Sequence, residues 1–547
     1  MNESVTTMSW RFVFARPARS LHDVSMRILA VTSPDKAAAT RGGYDAVVLV
    51  GHDPLAVKLP PLKAALKALA ASDSAAGSAV NLVPGAGIAG GRLVVSPTGP
   101  LARDYDDVRR HADAANRGIQ RARDAGAKNV LLLVQAPPQD DLYGNAACVA
   151  ALGACGGLWQ PVEAREHLGE KQVEPVQKLG VAVLGGGFSK KQADWVAAVD
   201  AGVRLARDLC GTNPERMAPL RFASYVQAAC KGSGVKVSVN KDPKKLQKGY
   251  PLLMAVARAS MPIARHRPCV VRMEYKPSGK ITRTIMIAGK GVTYDTGGAD
   301  LKVNGVMAGM SRDKGGAAAA AGVVLAAAKL KLKGVHLIAE LGCVRNSIGA
   351  DAYVADEVIA SHAGRRVRVG NTDAEGRMVL ADLLSNLRVG AKRATNPELF
   401  SVATLTGHAG RAVGPYNIGL DNGPAHERFT SESLSEAGEL LGDPFEVSRL
   451  RREDYDFVAA RTKADDVLQC NNAPSTLTAR GHQFPAAFLV RTSGLEDHGI
   501  DSDAPLPFTH IDIGGSGCEG GDWQHGKPSG RPVVAMLAAL CGGNPPA

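Results

Sequence analysis

Two short segments carry most of the residues in this chain that could do polar chemistry together. The first runs Lys290-Gly-Val-Thr-Tyr-Asp295-Thr-Gly-Gly-Ala-Asp-Leu-Lys302 and continues through Met310 to Asp313-Lys-Gly-Gly. The second, Asn371-Thr-Asp373-Ala-Glu375-Gly-Arg377, leads directly into the apolar run Met378–Leu387. Between them they offer Asp295, Asp313, Asp373 and Glu375. Four carboxylates in one pocket repel one another strongly unless cations neutralise them. Oxygen-rich sets suit divalent ions, and shared carboxylates can bridge two ions roughly 3.5 Å apart. A water bridging such a pair loses a proton near neutral pH and becomes a hydroxide nucleophile.

Each segment alone also has a plainer reading. Asp-Thr-Gly-Gly is ordinary turn chemistry. Asp373 and Glu375 could simply cap the helix that follows, and Lys290 or Lys302 could be solvated surface charges. The combination is what argues for a site.

Such a site needs elements to hold it. The run Ile281–Ala288 reads as a strand ending just before Lys290, and loops beyond the carboxyl ends of strands are where open α/β sheets bind ligands. The Asn371–Arg377 segment sits at a helix N-terminus, whose dipole favours anions. Further strands are read at Val335–Glu340 and Leu399–Leu405, with helices at Gly316–Lys331 and Met378–Arg388. Upstream, strands at Met26–Thr32, Ala46–Val50, Leu93–Ser96, Val130–Val134 and Val181–Leu184 alternate with helices such as Leu62–Ala71 and Asp106–Ala125. No catalytic constellation appears among them.

The fold class expected is α/β, with two domains, each a mostly parallel or mixed sheet flanked by helices, and the chemistry in the C-terminal one. The expected division is 1–190 for an N-terminal, non-catalytic domain with an assembly role, 191–212 for a connecting helix and 213–547 for the catalytic domain. Gly211 and Pro214 are the stop signals that set the second boundary. The basic knot Lys241–Gly249 reads as an exposed loop, and Gly514–Gly521 as a flexible glycine-rich one.

Composition agrees with this organisation. The chain has 547 residues, too many for one ordinary core. It is 45% hydrophobic and only 5% aromatic, so the core must rest on Ala, Val and Leu. The net charge of +12 invites a nucleic-acid reading. The charges are scattered, however, and no aromatic-interleaved RNA-binding pattern accompanies them, so a solvated basic surface is the expectation. Nine cysteines without a Cys-x-x-Cys pair imply reduced thiols and an intracellular, cytoplasmic setting. Cys148, Cys210, Cys230, Cys343 and Cys541 sit in apolar stretches and read as core residues. No apolar run is long enough for a bilayer. Arg11, Arg16 and Arg19 without an intervening acid faintly resemble an organellar presequence. The run Trp10–Phe14 reads equally as a first strand.

The segment Asn371–Arg377 is similar to the signature of the leucyl aminopeptidase (cytosol aminopeptidase) family. The pattern Lys290-Gly-x-Thr-x-Asp295-x-Gly-Gly-x-x-x-Lys302, with Asp313-x-Gly-Gly, also resembles that family. So do Ala403-Thr-Leu-Thr-Gly407, His510-Ile-Asp-Ile-Gly-Gly and Ser529-Gly-Arg-Pro532. The resemblance runs in order from about Cys210 to Pro532; the first two hundred residues share only a generic α/β pattern.

This resemblance implies a dinuclear metallo-aminopeptidase that removes the N-terminal residue of peptides through a bridging hydroxide. Lys290, Asp295, Asp313 and Glu375 would hold one ion and Asp295, Asp373 and Glu375 the other, as Zn2+ or Mn2+, with Co2+ and Mg2+ also open. Lys302 would polarise the scissile carbonyl, and Arg377 would bind a bicarbonate-like anion as proton shuttle. Met310, Thr404 and Gly407 would line the pocket for the first side chain, with Leu405 presenting backbone near the anion. Partners implied are peptides with a free N-terminus and further copies in a homohexamer of two stacked trimers; neither a membrane nor nucleic acid is expected.

The chain departs from the commoner pattern at Val306–Asp313. There the arginine, Arg312, is shifted by one place, and Lys314 follows Asp313. Gly514 and Gly517 stand where bulkier residues often line the pocket, which predicts a roomier one. These departures resemble the aminopeptidase-like branch of the family. Two rival readings are a catalytically silent structural member and a second role in nucleic-acid binding. The silent member is disfavoured because the five ligand positions, Lys302 and Arg377 are all present.

Overall fold

The computed structural model describes residues 26–137 and 141–546. The Trp10–Phe14 strand and the basic N-terminal segment fall outside the described residues.

The first sheet has six strands: β1 (Arg27–Ala30), β2 (Ala46–Gly51), β3 (Asn81–Pro84), β4 (Arg92–Pro97), β5 (Asn129–Gln135) and β6 (Lys178–Leu184). Their order is β1-β6-β5-β2-β4-β3, parallel except where β3 runs against β4. The central strands are buried on both faces, which is why they read as unbroken Val/Leu runs rather than alternating ones.

The second sheet has eight strands: β7 (Lys236–Asn240), β8 (Cys269–Tyr275), β9 (Arg283–Asp295), β10 (Val335–Asn346), β13 (Pro397–Ala403), β14 (Asn417–Asp421), β15 (Phe445–Arg449) and β17 (Phe508–Asp512). The order is β15-β14-β17-β13-β9-β10-β8-β7. The middle four strands, β17, β13, β9 and β10, are mutually parallel. A three-stranded patch of β11 (Val358–Ala360), β12 (Arg366–Arg368) and β16 (Val467–Leu468) lies apart from it.

Strand β9 is longer than the sequence pattern implied. It does not stop at Ala288 but continues through Lys290 to Asp295. Two glycines within the continued strand are there for close packing. A Cβ on Gly289 would lie 2.6 Å from Ala317 Cα, and one on Gly291 would lie 2.7 Å from the Gly342 carbonyl. Lys290 is therefore presented from a rigid strand, not from a loop. Residues 241–249 also differ from expectation. Asp242 accepts hydrogen bonds from the amides of Lys244 and Lys245, and Pro243 takes the first turn, so Pro243–Gly249 forms a short helix.

The helix Lys190–Gly211 begins with a Ser189/Gln192 capping box and packs against both parts of the molecule. Gly202 and Gly322 let it cross the alanine-rich helix Gly315–Leu330 almost backbone to backbone. Near its end, the fully buried carboxylate of Asp208 accepts from Trp159 Nε1 (2.7 Å), Tyr225 Oη (2.8 Å) and Arg165. One continuous apolar core passes from the first sheet through this helix into the second. All nine cysteines are buried and free. Among the described residues, no single helix is long and apolar enough to cross a membrane.

Candidate metal centre

The parallel strands end on one edge of the second sheet, and the two chemistry-bearing segments meet there. Lys290 and Asp295 come from β9, Asp313 follows the turn Met310–Arg312, and Asp373 lies in the loop before the helix Glu375–Ala391. Glu375 opens that helix and is almost fully buried.

The six charged groups interlock. Lys290 Nζ lies 2.8 Å from Asp313 Oδ1 and 2.9 Å from Glu375 Oε1, and it donates to the Thr404 carbonyl at 2.9 Å. Lys302 Nζ lies 3.0 Å from Asp295 Oδ2 and 2.5 Å from Asp373 Oδ1. Ligand atoms of Asp295, Asp373 and Glu375 fall within 4.8 Å of one another. The lysines thus stand among the acids, but two ammonium groups cannot balance four carboxylates. Asp313 Oδ2 and Glu375 Oε2 remain buried without a hydrogen-bond partner. Orphaned buried oxygens of this kind signal missing positive charge. An oxygen-rich donor set with one lysine suits divalent cations.

The electrostatics carry the same signature. Burial opposes the charge on Lys290, yet Asp313, Glu375 and Asp295 overcome it and hold the ammonium above its ordinary value. Lys302 is raised likewise by Asp295 and Asp373 against its own desolvation. Burial pushes Asp313 well up despite Lys290, and burial followed by the Asp295 charge raises Asp373 to about 7.

Several supporting residues escaped the sequence reading. Asn346 lies opposite Asp295 in the β9–β10 register; its amide donates to Asp295 Oδ1 (2.8 Å) and the Thr372 carbonyl (3.1 Å). Asp300 Oδ2 accepts from the amide (2.6 Å) and hydroxyl (3.0 Å) of Thr372, fixing the loop that carries Asp373. Gln469 accepts from the amides of Gly370 and Asn371 and donates to the carbonyls of Asn371 and Ala374. Gly376 has a steric role, because a Cβ there would lie 2.5 Å from Lys290 Cε. An isolated Asn at a strand end or a Gln far along the chain carries no local pattern that could have flagged it.

Arg377 is buried, donates through Nη1 to the Gln469 carbonyl (2.9 Å) and sits over the Phe484 ring, while its Nε has no acceptor. Thr404 spends its hydroxyl on Asp313 Oδ1 (2.8 Å), leaving only its methyl for a pocket. The Leu405 amide donates to Asp512 Oδ1 at 3.2 Å. Gly407 begins the helix Gly407–Val413 behind the Thr406 cap, and Met310 is half-exposed at the 310–312 turn.

The departures also find their places. Lys314 is wholly buried, donates to the Thr212 carbonyl (2.9 Å) and to that of Ser311, and is lowered by burial to about 8. Gly514 and Gly517 do not open a roomier hollow. A Cβ on Gly517 would meet Thr404 Cγ2 at 3.2 Å and Trp523 Cζ2 at 3.8 Å, while Trp523 Nε1 donates to the Gly514 carbonyl at 3.1 Å. Within the Gly514–Gly521 stretch, Gly515 to Cys518 are buried and Glu519–Gly521 is an exposed helical turn.

A second acidic grouping, Asp421 with His426 and Glu432, is differently engaged. Asp421 already accepts from the amide and hydroxyl of Ser431 and the hydroxyl of Thr509.

The catalytic-domain model of the cytosol aminopeptidase family matches residues 204–537, more than half of the chain and all of this cluster. The chain belongs to the cytosol aminopeptidase family. Within it, W07G4.4 of Caenorhabditis elegans, whose name places it among aminopeptidases, is 42% identical over 451 residues, 82% of this chain and 84% of its own. The fold is that of leucyl aminopeptidase from Trypanosoma cruzi, with a TM-score of 0.76 at 21% identity over 95% of this chain and 98% of the other. The bottromycin maturation enzyme BotP, solved in complex with Mn, superposes with a TM-score of 0.72 at 23% identity, covering 91% and 99%. The match to the catalytic-domain model places the peptidase part of the chain in its C-terminal region.

Proposed function

We propose that this chain is a dinuclear metallo-aminopeptidase acting on peptides with a free N-terminus. The observation that carries the reading is the set of four carboxylates and two lysines at the strand edge, buried except at Asp373 and Lys302 on its open side, with Asp313 Oδ2 and Glu375 Oε2 left without partners. Lys290, Asp295, Asp313 and Glu375 would hold one cation and Asp295, Asp373 and Glu375 a second. Bound there, such a pair supplies an acidified water as nucleophile and electrophilic pull on the scissile carbonyl.

The chain's own groups do the rest. Lys302, freed from Asp295 and Asp373 when cations take those carboxylates, is placed to donate to the carbonyl oxygen as it gains negative charge. Lys290 would hold a cation as a neutral amine, its proton passing to solvent, a state that adjacent dications favour. Arg377, with an unpaired Nε, would hold a bicarbonate-like anion that moves the proton. A free α-amine is needed to anchor the substrate, so internal peptide bonds are poor substrates. Manganese is the first metal to test because BotP was solved with it. The assembly proposed, from the family resemblance, is a homohexamer, and retention on DNA is not expected at physiological salt.

The test is hydrolysis of alanine and leucine anilides with added manganese, zinc, cobalt or magnesium, comparing wild type with Asp373→Ala. Metal-dependent turnover abolished by the substitution supports the reading. Wild-type protein that is inactive with every metal overturns it.

A further inference from the structure

Beside the carboxylate cluster lies an apolar wall whose parts come from three separate stretches of chain. Thr404 belongs to both, since its hydroxyl reaches Asp313 while its methyl faces Gly517. Met310 opens the turn before Asp313, directly after Gly309, which packs against Trp523. The side chain that covers Gly517 is Trp523, half-buried, with its ring edge within 4 Å of where a Cβ would stand.

Two departures from the commoner pattern, Gly514 and Gly517, meet that indole, while Gly309 and the shifted Arg312 meet the Trp523 backbone. Gly514 supplies the carbonyl that Trp523 Nε1 bonds at 3.1 Å, and Gly517 leaves room for the six-membered ring. Gly309 lies under the tryptophan, where a Cβ would come within 3.1 Å of Trp523 Cβ, and it has a φ of 90° that an L side chain rarely adopts. Arg312, the shifted arginine, donates through Nη1 to the carbonyls of Trp523 (2.7 Å) and Asp522 (3.2 Å). The Trp523 loop is therefore clamped to the Met310–Asp313 turn at its backbone and to Gly514 at its ring.

We propose that Trp523 is a specificity-determining residue that shortens the recess for the substrate's first side chain, restricting this chain to peptides with small N-terminal residues such as Gly, Ala and Ser. The proposal rests on the aminopeptidase reading above and deepens it. An aromatic ring over Gly517, next to the methyl of the Thr404 whose hydroxyl meets Asp313, would narrow the space that a branched or aromatic side chain needs. The clamps from Arg312 and Gly514 prevent the ring from swinging away at low cost.

The experiment compares kcat/KM for alanine and leucine anilides, with manganese, in wild type, W523A and W523F. Wild type is expected to favour alanine by about ten-fold or more. W523A should reverse the ratio, raising leucine turnover by about ten-fold with little change for alanine. W523F, which keeps a ring but loses the bond to Gly514, should retain the alanine preference, and it also controls for a folding defect in W523A. Wild type that turns over leucine as well as alanine, or a W523A ratio equal to wild type, overturns the proposal. If no anilide is hydrolysed with any metal, the peptidase reading fails instead. Calorimetric binding of alanine and leucine hydroxamates to the manganese-treated protein then decides the role of Trp523. Tighter alanine hydroxamate, reversed in W523A, supports it, and equal affinities sink it.

Discussion

Lys302 Nζ lies 2.5 Å from Asp373 Oδ1, so an ammonium group occupies ground that a cation would contest. Its other contact, to Asp295 at 3.0 Å, makes it a bridge between two acids on different segments. Lys302→Met removes that bridge without adding a charge. In metal-free protein the two carboxylates are then left facing each other, and the melting temperature falls. Added manganese should restore it, with a larger rise than in wild type. Turnover, by contrast, should drop about 10²–10³-fold because the carbonyl oxygen loses its donor. Equal manganese shifts in both proteins would show that Lys302 does not hold the acids apart.

Asp373 sets a pH window for metal binding. Burial and the neighbouring Asp295 raise it to about 7 in the metal-free protein, so at pH 6 most of it carries a proton that a cation must displace. Manganese affinity should therefore weaken as pH falls, and more steeply below 7, where both Asp373 and Lys290 must lose a proton, than above it, where only the Lys290 proton remains to be displaced. Proton release on binding, read by calorimetry in buffers of different ionisation enthalpy, should be larger at pH 6 than at pH 8. Asp373→Asn should bind more weakly and flatten the profile. An unchanged profile would assign the proton to another carboxylate.

Gly376→Ala is the smallest change that should disable the site. The added Cβ would lie 2.5 Å from Lys290 Cε and 2.6 Å from Nζ, so the flexible end of the lysine must move away from Asp313 and Glu375. A side chain that can swing aside costs the fold little, so the melting temperature should change by only a few degrees. Manganese affinity and turnover should both fall by about 10²-fold, as they do when ligand geometry is lost. Wild-type affinity in this variant would mean that Lys290 is not a ligand.

How much of this was legible beforehand depends on the range of the signal. The acidic cluster could be read because Asp295, Asp373 and Glu375 lie in compact segments of unusual chemistry. The buried strands could be read because unbroken Val and Leu runs have few other homes. The continuation of β9 through Gly289 and Gly291 was hidden, since glycines required by the crossing at Ala317 look locally like a turn. Asn346, Gln469 and Trp523 were hidden for a different reason. Each pairs with a segment far along the chain, Trp523 through Arg312, and such pairings leave no local periodicity. Gly514 and Gly517 show the hazard of reading space from missing side chains, because the vacancy is taken by a residue from another turn.

Acid stability supplies a last prediction, independent of metals. His482 is buried with Nδ1 against His408 (2.8 Å) and Nε2 against Ser448 Oγ (2.9 Å), and burial pushes it down to about 4. His510, also fully buried, is pushed down to about 3, with Nε2 lacking a partner. Both folded values lie below the unfolded value of about 6.5, so in that window the unfolded chain binds protons that the folded one refuses. Stability is thus intact above pH 6.5 and drains away as pH falls towards 4, by up to about 3 kcal/mol for His482 alone. Buried acids with raised values, such as Asp382 at about 7, act in the opposite direction, so the test must be differential. Between pH 7.5 and 5, the melting temperature of wild type should fall further than that of His482→Gln. Parallel declines would show that the imidazole titrates without constraint from the fold.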